Sequence, residues 1–283
     1  MTQSNIESFS SSQGMLSYRI DRRSNKYVII FNGTFTDINM RDVDGFFAER
    51  DYSVICVARP GYNDSDIKLA YNEWSFEKAV SELMESLNVK EAAVLGISVG
   101  GRAAMRFAER YPQKTKQLFL FSSASFSNWQ NRIGSLASKV AFNPIIGKAT
   151  WFILKSYIKV APFRGVAFLF SSMTSLNSTE VLRSYTTQSV EGLRGMMLKC
   201  SSPRGVKIDL SKINEQGNPE LIKVPTVIVH SKYDAAVPLQ HPQVLNSAIK
   251  ESHLVINETE SHLMWFSPHW AVVEKKIEEL IIN

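Results

Sequence analysis

Three residues far apart in the chain could together make an activated nucleophile: Ser98, Asp234 and His262. Ser98 lies in "VLGISVGG", where Gly96-Ile97-Ser98-Val99-Gly100 fits G-x-S-x-G. That pattern alone would arise by chance in roughly one chain in ten of this length, so its surroundings carry the argument. An apolar run ends at Ile97 and an amphipathic run starts after Val99. A serine at such a junction occupies a sharp turn at the carboxyl end of a buried strand, and glycines at 96 and 100 remove side chains that would clash there. The hydroxyl then points out of the sheet, and the Val99 amide opens a helix, where it can face an anion. A serine hydroxyl is a weak nucleophile without a base, and the base needs an acid to orient it. "VPTVIVHSKYDAAVP" supplies Asp234 four residues past its strand, and "HLVINETESHLMW" supplies His262 just past the next. Ser, Asp, His is the chain order this architecture requires.

The elements that must position these residues can be read from periodicity. "MLSYRI" and "KYVIIFNG" read as two strands joined by a hairpin turn, "DRRSN", after a Ser-rich, frayed dozen residues. "YSVICVA", "EAAVLGI" and "KQLFLFSS" are continuous apolar runs, as expected of strands covered on both faces. Helical runs alternate with them: "DINMRDVDGFFAERD", "EWSFEKAVSELMESLNV" with Phe76, Val80, Leu83, Met84 and Leu87 on one face, and "VGGRAAMRFAERYP". This rhythm predicts an α/β fold with a mostly parallel sheet and helices on both faces. It breaks at about residue 124 and returns at about 220 with "VPTVIVH", "HPQVLNSAIK", "HLVINETE" and "PHWAVVEKKIEELIIN". The expected organisation is a core of residues 1–123 and 221–283 with a helical insertion at 124–220.

Four segments in order resemble the motifs of the α/β-hydrolase fold superfamily, over nearly the whole chain. "FNGTFTD" resembles its oxyanion loop, "ARPGYNDSD" the loop after the following strand, "GISVGG" its nucleophile elbow, and the segments around Asp234 and His262 its acid and base loops. The resemblance implies a serine hydrolase with a helical cap: Ser98 as nucleophile, His262 as general base then acid, Asp234 as its orienter, and the amides of Thr34 and Val99 as oxyanion hole. Three positions depart from the pattern: Asn32 replaces a usual histidine, Phe35 a frequent proline, and Ser261 a common glycine. Serine at the elbow, where related dehalogenases and epoxide hydrolases carry aspartate, implies acyl transfer. The expected reaction is carboxylesterase-like cleavage of an ester or thioester through an acyl-enzyme. The alternatives are an acyltransferase or carbon–carbon bond hydrolase on the same three residues, and a binding module without turnover. No cofactor and no metal is expected.

Other residues compete for these roles. Asp209, in "VKIDLSK", is the alternative acid, in or near the insertion and read as a surface residue. His253 and His230 bound strands and read as structural, while His241 and His269 stand at helix starts and read as surface or cap positions. Arg59 reads as a loop brace, Tyr62 as packing, and Met196 and Met197 as core; Trp265 and Phe266 could line a pocket or fill the core. No histidine spacing suits a metal, and two distant cysteines, Cys56 and Cys200, suggest no disulfide framework.

The chain has 283 residues and a net charge of +5, unevenly spread. Residues 110 to 179 hold no Asp or Glu but carry Arg110, Lys114, Lys116, Arg132, Lys139, Lys148, Lys155, Lys159 and Arg164, with "VAFNPIIG", "ATWFIL" and "GVAFLF" between them. Two readings stay open: a cap whose lysines are merely solvated, or a cationic, greasy cover that attracts an anionic or lipid-like acyl substrate or rests on an anionic membrane surface. A nucleic-acid partner fits poorly, because apolar helix interrupts the charge. The N-terminus has no signal-peptide core and no apolar window is long enough to span a bilayer, so the expectation is a cytoplasmic monomer or homodimer.

Overall fold

Apolar strands buried on both faces dictate the architecture. A computed structural model of the chain describes residues 6–126, 146–201, 204–211 and 217–282. Its strands are β1 (Glu7–Ser10), β2 (Met15–Asp21), β3 (Lys26–Phe31), β4 (Tyr52–Val57), β5 (Ala92–Ile97), β6 (Thr115–Phe121), β7 (Thr226–Ser231) and β8 (Ser252–Asn257). They form one sheet in the order β1-β2-β4-β3-β5-β6-β7-β8. β1–β2 and β2–β4 pair antiparallel; from β4 to β8 every pairing is parallel. Every residue of β4, β5 and β7 is buried, which explains why these strands read as unbroken apolar runs.

The core helices are α1 (Asp44–Ala48), α2 (Ser75–Ser86) and α3 (Gly100–Arg110). Between β6 and β7 the described chain is helical: α4 (Ile146–Val160), α5 (Pro162–Phe170), α6 (Ser178–Ser184), α7 (Thr187–Lys199) and α8 (Gly205–Asp209). α9 (Gln240–Ala248) and α10 (Trp270–Glu278) close the chain. One sheet face buries Phe76, Val80, Leu83 and Met84 of α2, Phe107 of α3 and Leu245 of α9. The other buries Phe46 and Phe47 of α1 and Trp270, Val273 and Ile277 of α10. A third cluster joins Ile158, Phe170, Leu193 and Met197 to Leu263 and Phe266 beside His262. Met196 and Met197 are thus core residues. Among the described residues, no helix is long and apolar enough to cross a membrane.

Three expectations are corrected. β2 and β3 form no hairpin; they lie on opposite sides of β4. Val28–Phe31 is buried throughout and needs strands on both flanks, whereas β2 alternates Leu16 and Tyr18 with Ser17 and Arg19 and suits a place nearer the edge. The Ser-rich start is not frayed from Glu7 onward, because Ser11 closes a turn through its amide and hydroxyl on the Gly14 carbonyl, at 3.0 and 2.6 Å, and β1 pairs back on β2. The helix expected over residues 37–51 shrinks to α1. Most of "VAFNPIIG", together with Arg132 and Lys139, lies outside the described residues, as do the first five residues.

Candidate active site

Only Ser98 and Val99 separate β5 from α3, so the chain must reverse within two residues. Ser98 does so at φ +54°, in the left-handed region that L-residues avoid. Its amide donates to the Phe121 carbonyl at 3.0 Å, and its carbonyl accepts from the Gly101 and Ala124 amides, both at 3.1 Å. The elbow glycines have a steric reason. A Cβ on Gly96 would fall 2.5 Å from the Gly101 Cα, and one on Gly100 would overlap the Phe31 carbonyl oxygen. Ser98 remains half-buried rather than enclosed.

The acid and base follow β7 and β8, the strands beyond β6, so their loops emerge at the same end of the sheet as the elbow. His262 Nδ1 lies 2.7 Å from Asp234 Oδ2. Asp234 Oδ1 accepts from the amides of Ala236 and Val237 at 2.9 and 2.8 Å, and its side chain is wholly buried. With Nδ1 turned to the carboxylate, Nε2 is the ring nitrogen left to meet a substrate or hydroxyl. The end of β6 serves both halves: Phe121 holds the Ser98 amide, and the Ser122 hydroxyl donates to the His262 carbonyl at 2.7 Å. A hydrogen bond from Ser98 Oγ to the His262 ring is not among those the described residues form, and such bonds often tighten only when substrate is bound.

His230 forms a further link that the sequence reading passed over as merely structural. Its Nε2 sits 2.8 Å from the Val237 carbonyl and 3.3 Å from Asp234 Oδ2. Burial lowers its pKa, so near neutral pH the ring is uncharged, and its Nε2–H faces the Val237 carbonyl and the same Asp234 oxygen that His262 Nδ1 meets. The helical segment adds a clasp. Met173 O accepts from the His262 amide at 2.8 Å, Ser175 N donates to Tyr233 O at 2.9 Å, and Thr174 forms a bridge with Asp234.

Opposite the elbow runs the loop from Asn32 to Thr36. Gly33 backs onto Ser98, where an added Cβ would stand 3.1 Å from the Ser98 Cβ. Among the hydrogen bonds of the described residues, none is donated by the amide of Thr34 or of Val99. Phe35 adopts φ +69°, which a proline ring forbids. The departure from proline therefore belongs to a different loop conformation, not to a tolerated swap. Ser261 has no positive φ and needs no glycine.

Asp209 is corrected from a surface residue to a buried anchor of this loop, 1% exposed. Its carboxylate accepts from both terminal nitrogens of the Arg59 guanidinium, from the Tyr62 hydroxyl and, at 2.9 Å, from the Thr34 hydroxyl. Arg59 Nε also donates to the Asn32 carbonyl at 2.8 Å, and the Tyr62 hydroxyl accepts from the Phe35 amide. Burial works against the Arg59 charge, but Asp209 outweighs it and the guanidinium stays protonated. Arg59 is thus the brace it was read as, and Tyr62 does more than pack. The "ARPGY" segment was the only local signal of this network; its partner lies 150 residues away. His241 is likewise buried, not on the surface: Ser125 bonds its Nδ1 through amide and hydroxyl at 3.1 and 2.9 Å. Burial, then the nearby Arg102, push it down to about 4. His269 is exposed, beside Glu260 at 3.4 Å.

Comparison with known proteins points to one fold. A family model described as the alpha/beta hydrolase fold matches residues 27–144. The chain is 24% identical over 273 residues to the "uncharacterized hydrolase YcgS" of Bacillus subtilis, covering 92% of each. It is 25% identical over 234 residues to a 2-hydroxy-6-oxo-6-phenylhexa-2,4-dienoate hydrolase of Burkholderia cepacia, covering 80% of this chain and 74% of that one. Among solved structures, an alpha/beta hydrolase fold protein from Nakamurella multipartita superposes with a TM-score of 0.80 at 19% identity, over 98% of each chain. That likeness is one of fold.

Proposed function

We propose that this chain, a member of the α/β-hydrolase fold superfamily, is a serine hydrolase that cleaves a carboxylic ester or thioester through an acyl-enzyme. The observation that carries the reading is a serine at φ +54° on a strand-to-helix elbow, at the sheet end that also presents the Asp234–His262 pair at 2.7 Å. In this reading Ser98 Oγ attacks the acyl carbonyl while His262 Nε2 takes its proton. Asp234 stabilises the imidazolium through Nδ1–H, and the amides of Thr34 and Val99 receive the oxyanion. The imidazolium then protonates the departing alcohol or thiol as the acyl–oxygen or acyl–sulfur bond breaks. Water, deprotonated by the same ring, attacks the acyl-enzyme and releases the acid and Ser98. Residues 124–220 act as a cap over a core of 1–123 and 221–283; the bonds from Met173–Ser175 to the acid and base loops support this role.

Reaction with a fluorophosphonate probe tests the assignment. A single phosphonyl adduct on Ser98, absent in Ser98→Ala, is expected by mass spectrometry. A folded protein that takes no label would remove the acyl-enzyme reading and leave a binding module.

One observation favours a second reading. A relative matched over four-fifths of this chain is named as a 2-hydroxy-6-oxo-6-phenylhexa-2,4-dienoate hydrolase, and the second reading is cleavage of a carbon–carbon bond in a substrate of that kind. Comparing turnover of p-nitrophenyl esters with that of a 2-hydroxy-6-oxo-dienoate separates the two. Faster turnover of the esters supports ester cleavage; faster turnover of the dienoate would replace it. Adding an alcohol or amine acceptor identifies an acyltransferase by its product.

A further inference from the structure

We propose that the outer face of the α4–α5 hairpin docks on an anionic lipid surface. The two helices are joined by a single residue, Ala161, and pack closely at Gly165, where an added Cβ would lie 2.7 Å from the Ile158 Cα. Their inner faces bury Ile158, Val166, Ala167 and Phe170. Their outer faces leave large apolar side chains in water: Val160 is 85% exposed, Phe152 73%, Ile153 64% and Phe168 60%. Ile153, Tyr157 and Val160 follow helical spacing on one side of α4, and Tyr157 meets Phe168 of α5 edge-on, with ring centroids 6.4 Å apart. The exposed residues therefore form one patch across both helices. Single exposed apolar residues are ordinary on a protein surface, whereas a contiguous set marks a contact site.

Charge identifies the occupant. Lys159 and Arg164 are exposed on the same hairpin, and residues 110–179 contain no carboxylate side chain. A helix face that is both apolar and cationic suits the headgroup region of an anionic leaflet, which takes the apolar groups and pairs the basic ones. A second copy fits less well, because a two-fold contact would press this cationic patch against itself. The hairpin also reaches the site from its other side: the Trp151 ring of α4, which packs against the inner cluster, meets Phe35 of the loop opposite Ser98 with centroids 5.6 Å apart.

Flotation of the full chain with phosphatidylcholine vesicles, with and without phosphatidylglycerol, tests the proposal. Binding only to the anionic vesicles is expected, weakening as salt is raised. Each basic residue near such a surface contributes about fivefold in partitioning, so Lys159→Glu with Arg164→Glu should lower it by more than about tenfold. Val160→Asp with Phe168→Asp should also lower it, with an unchanged melting temperature because these positions are exposed. Val160→Trp should show an emission blue shift on adding anionic vesicles. Ser98→Ala should bind like the parent, so the result stands apart from the fate of the hydrolase assignment. No binding to anionic vesicles, equal binding to neutral ones, or variants that bind like the parent would overturn it. So would a dimer in solution that Val160→Asp dissolves while vesicles are ignored.

Discussion

Ser98 holds a side chain at φ +54°, a conformation that costs of order 1–2 kcal/mol for a non-glycine residue. Three backbone hydrogen bonds keep it there, and Gly96 and Gly100 remove the obstacles. If this serine is the nucleophile, Ser98→Ala should lower kcat by about 10⁴-fold or more with an unchanged melting temperature. Asp234→Asn should leave a folded enzyme slower by roughly 10⁴-fold, because the amide would favour the wrong imidazole tautomer. Asp209→Asn should behave in the opposite way. It leaves the buried Arg59 without its counter-ion, a change that costs about 3–5 kcal/mol, so stability should fall more than turnover. Urea titration and steady-state kinetics on the two variants decide the matter. If Asp209→Asn stays folded and loses more kcat than Asp234→Asn, the acid is misassigned.

At the scale of elements, the site depends on loops that distant segments hold in place. Thr34 and Phe35 are tied to Asp209 and Tyr62, while Met173 and Ser175 tie the helical segment to the His262 and Asp234 loops. The loop at Phe35 gives a sharp test. Phe35→Pro would restore the residue frequent in the family, yet its ring demands φ near −65° where the chain holds +69°. The variant should lose about 3 kcal/mol of stability and most of its activity, whereas Phe35→Gly should retain the loop and lose only ring contacts. Comparing their melting temperatures and kcat values checks this. A fully active Phe35→Pro would mean that the loop adopts another conformation in the working enzyme.

Across the whole molecule, two buried neutral histidines contribute to the response to acid. His230 and His241 both have pKa values lowered chiefly by burial, the latter to about 4. The unfolded chain, near 6.5, binds a proton that the folded protein refuses. Their contribution is therefore fully present above about pH 6.5 and is lost as pH falls towards 4. For His241 the loss is of order 3 kcal/mol. Urea midpoints measured from pH 8 to pH 4 should fall across that window, and His241→Asn should flatten the fall. An unchanged slope in the variant would assign the acid sensitivity to other groups.

How much was legible follows from the range of each interaction. The parallel strands could be read because burial on both faces requires continuous apolar runs, as in β4, β5 and β7. The elbow could be read because its constraint is local: glycines two residues either side of Ser98, at a strand–helix junction. The pairing of β2 and β3 with β4 could not, since both strands have acceptable patterns and only competition for the sheet interior orders them. Asp209 could not either, because an isolated carboxylate in sequence belongs in water. Only when the chain brings Arg59, Tyr62 and Thr34 around it does burial become favourable, and that is a property of the tertiary structure. By itself the sequence determined the strand pattern, the strained serine and the order of acid and base. The tertiary structure alone decided how the loop opposite Ser98 is anchored, which histidines are hidden and which helix face is left in water, because each depends on contacts between residues far apart in the chain.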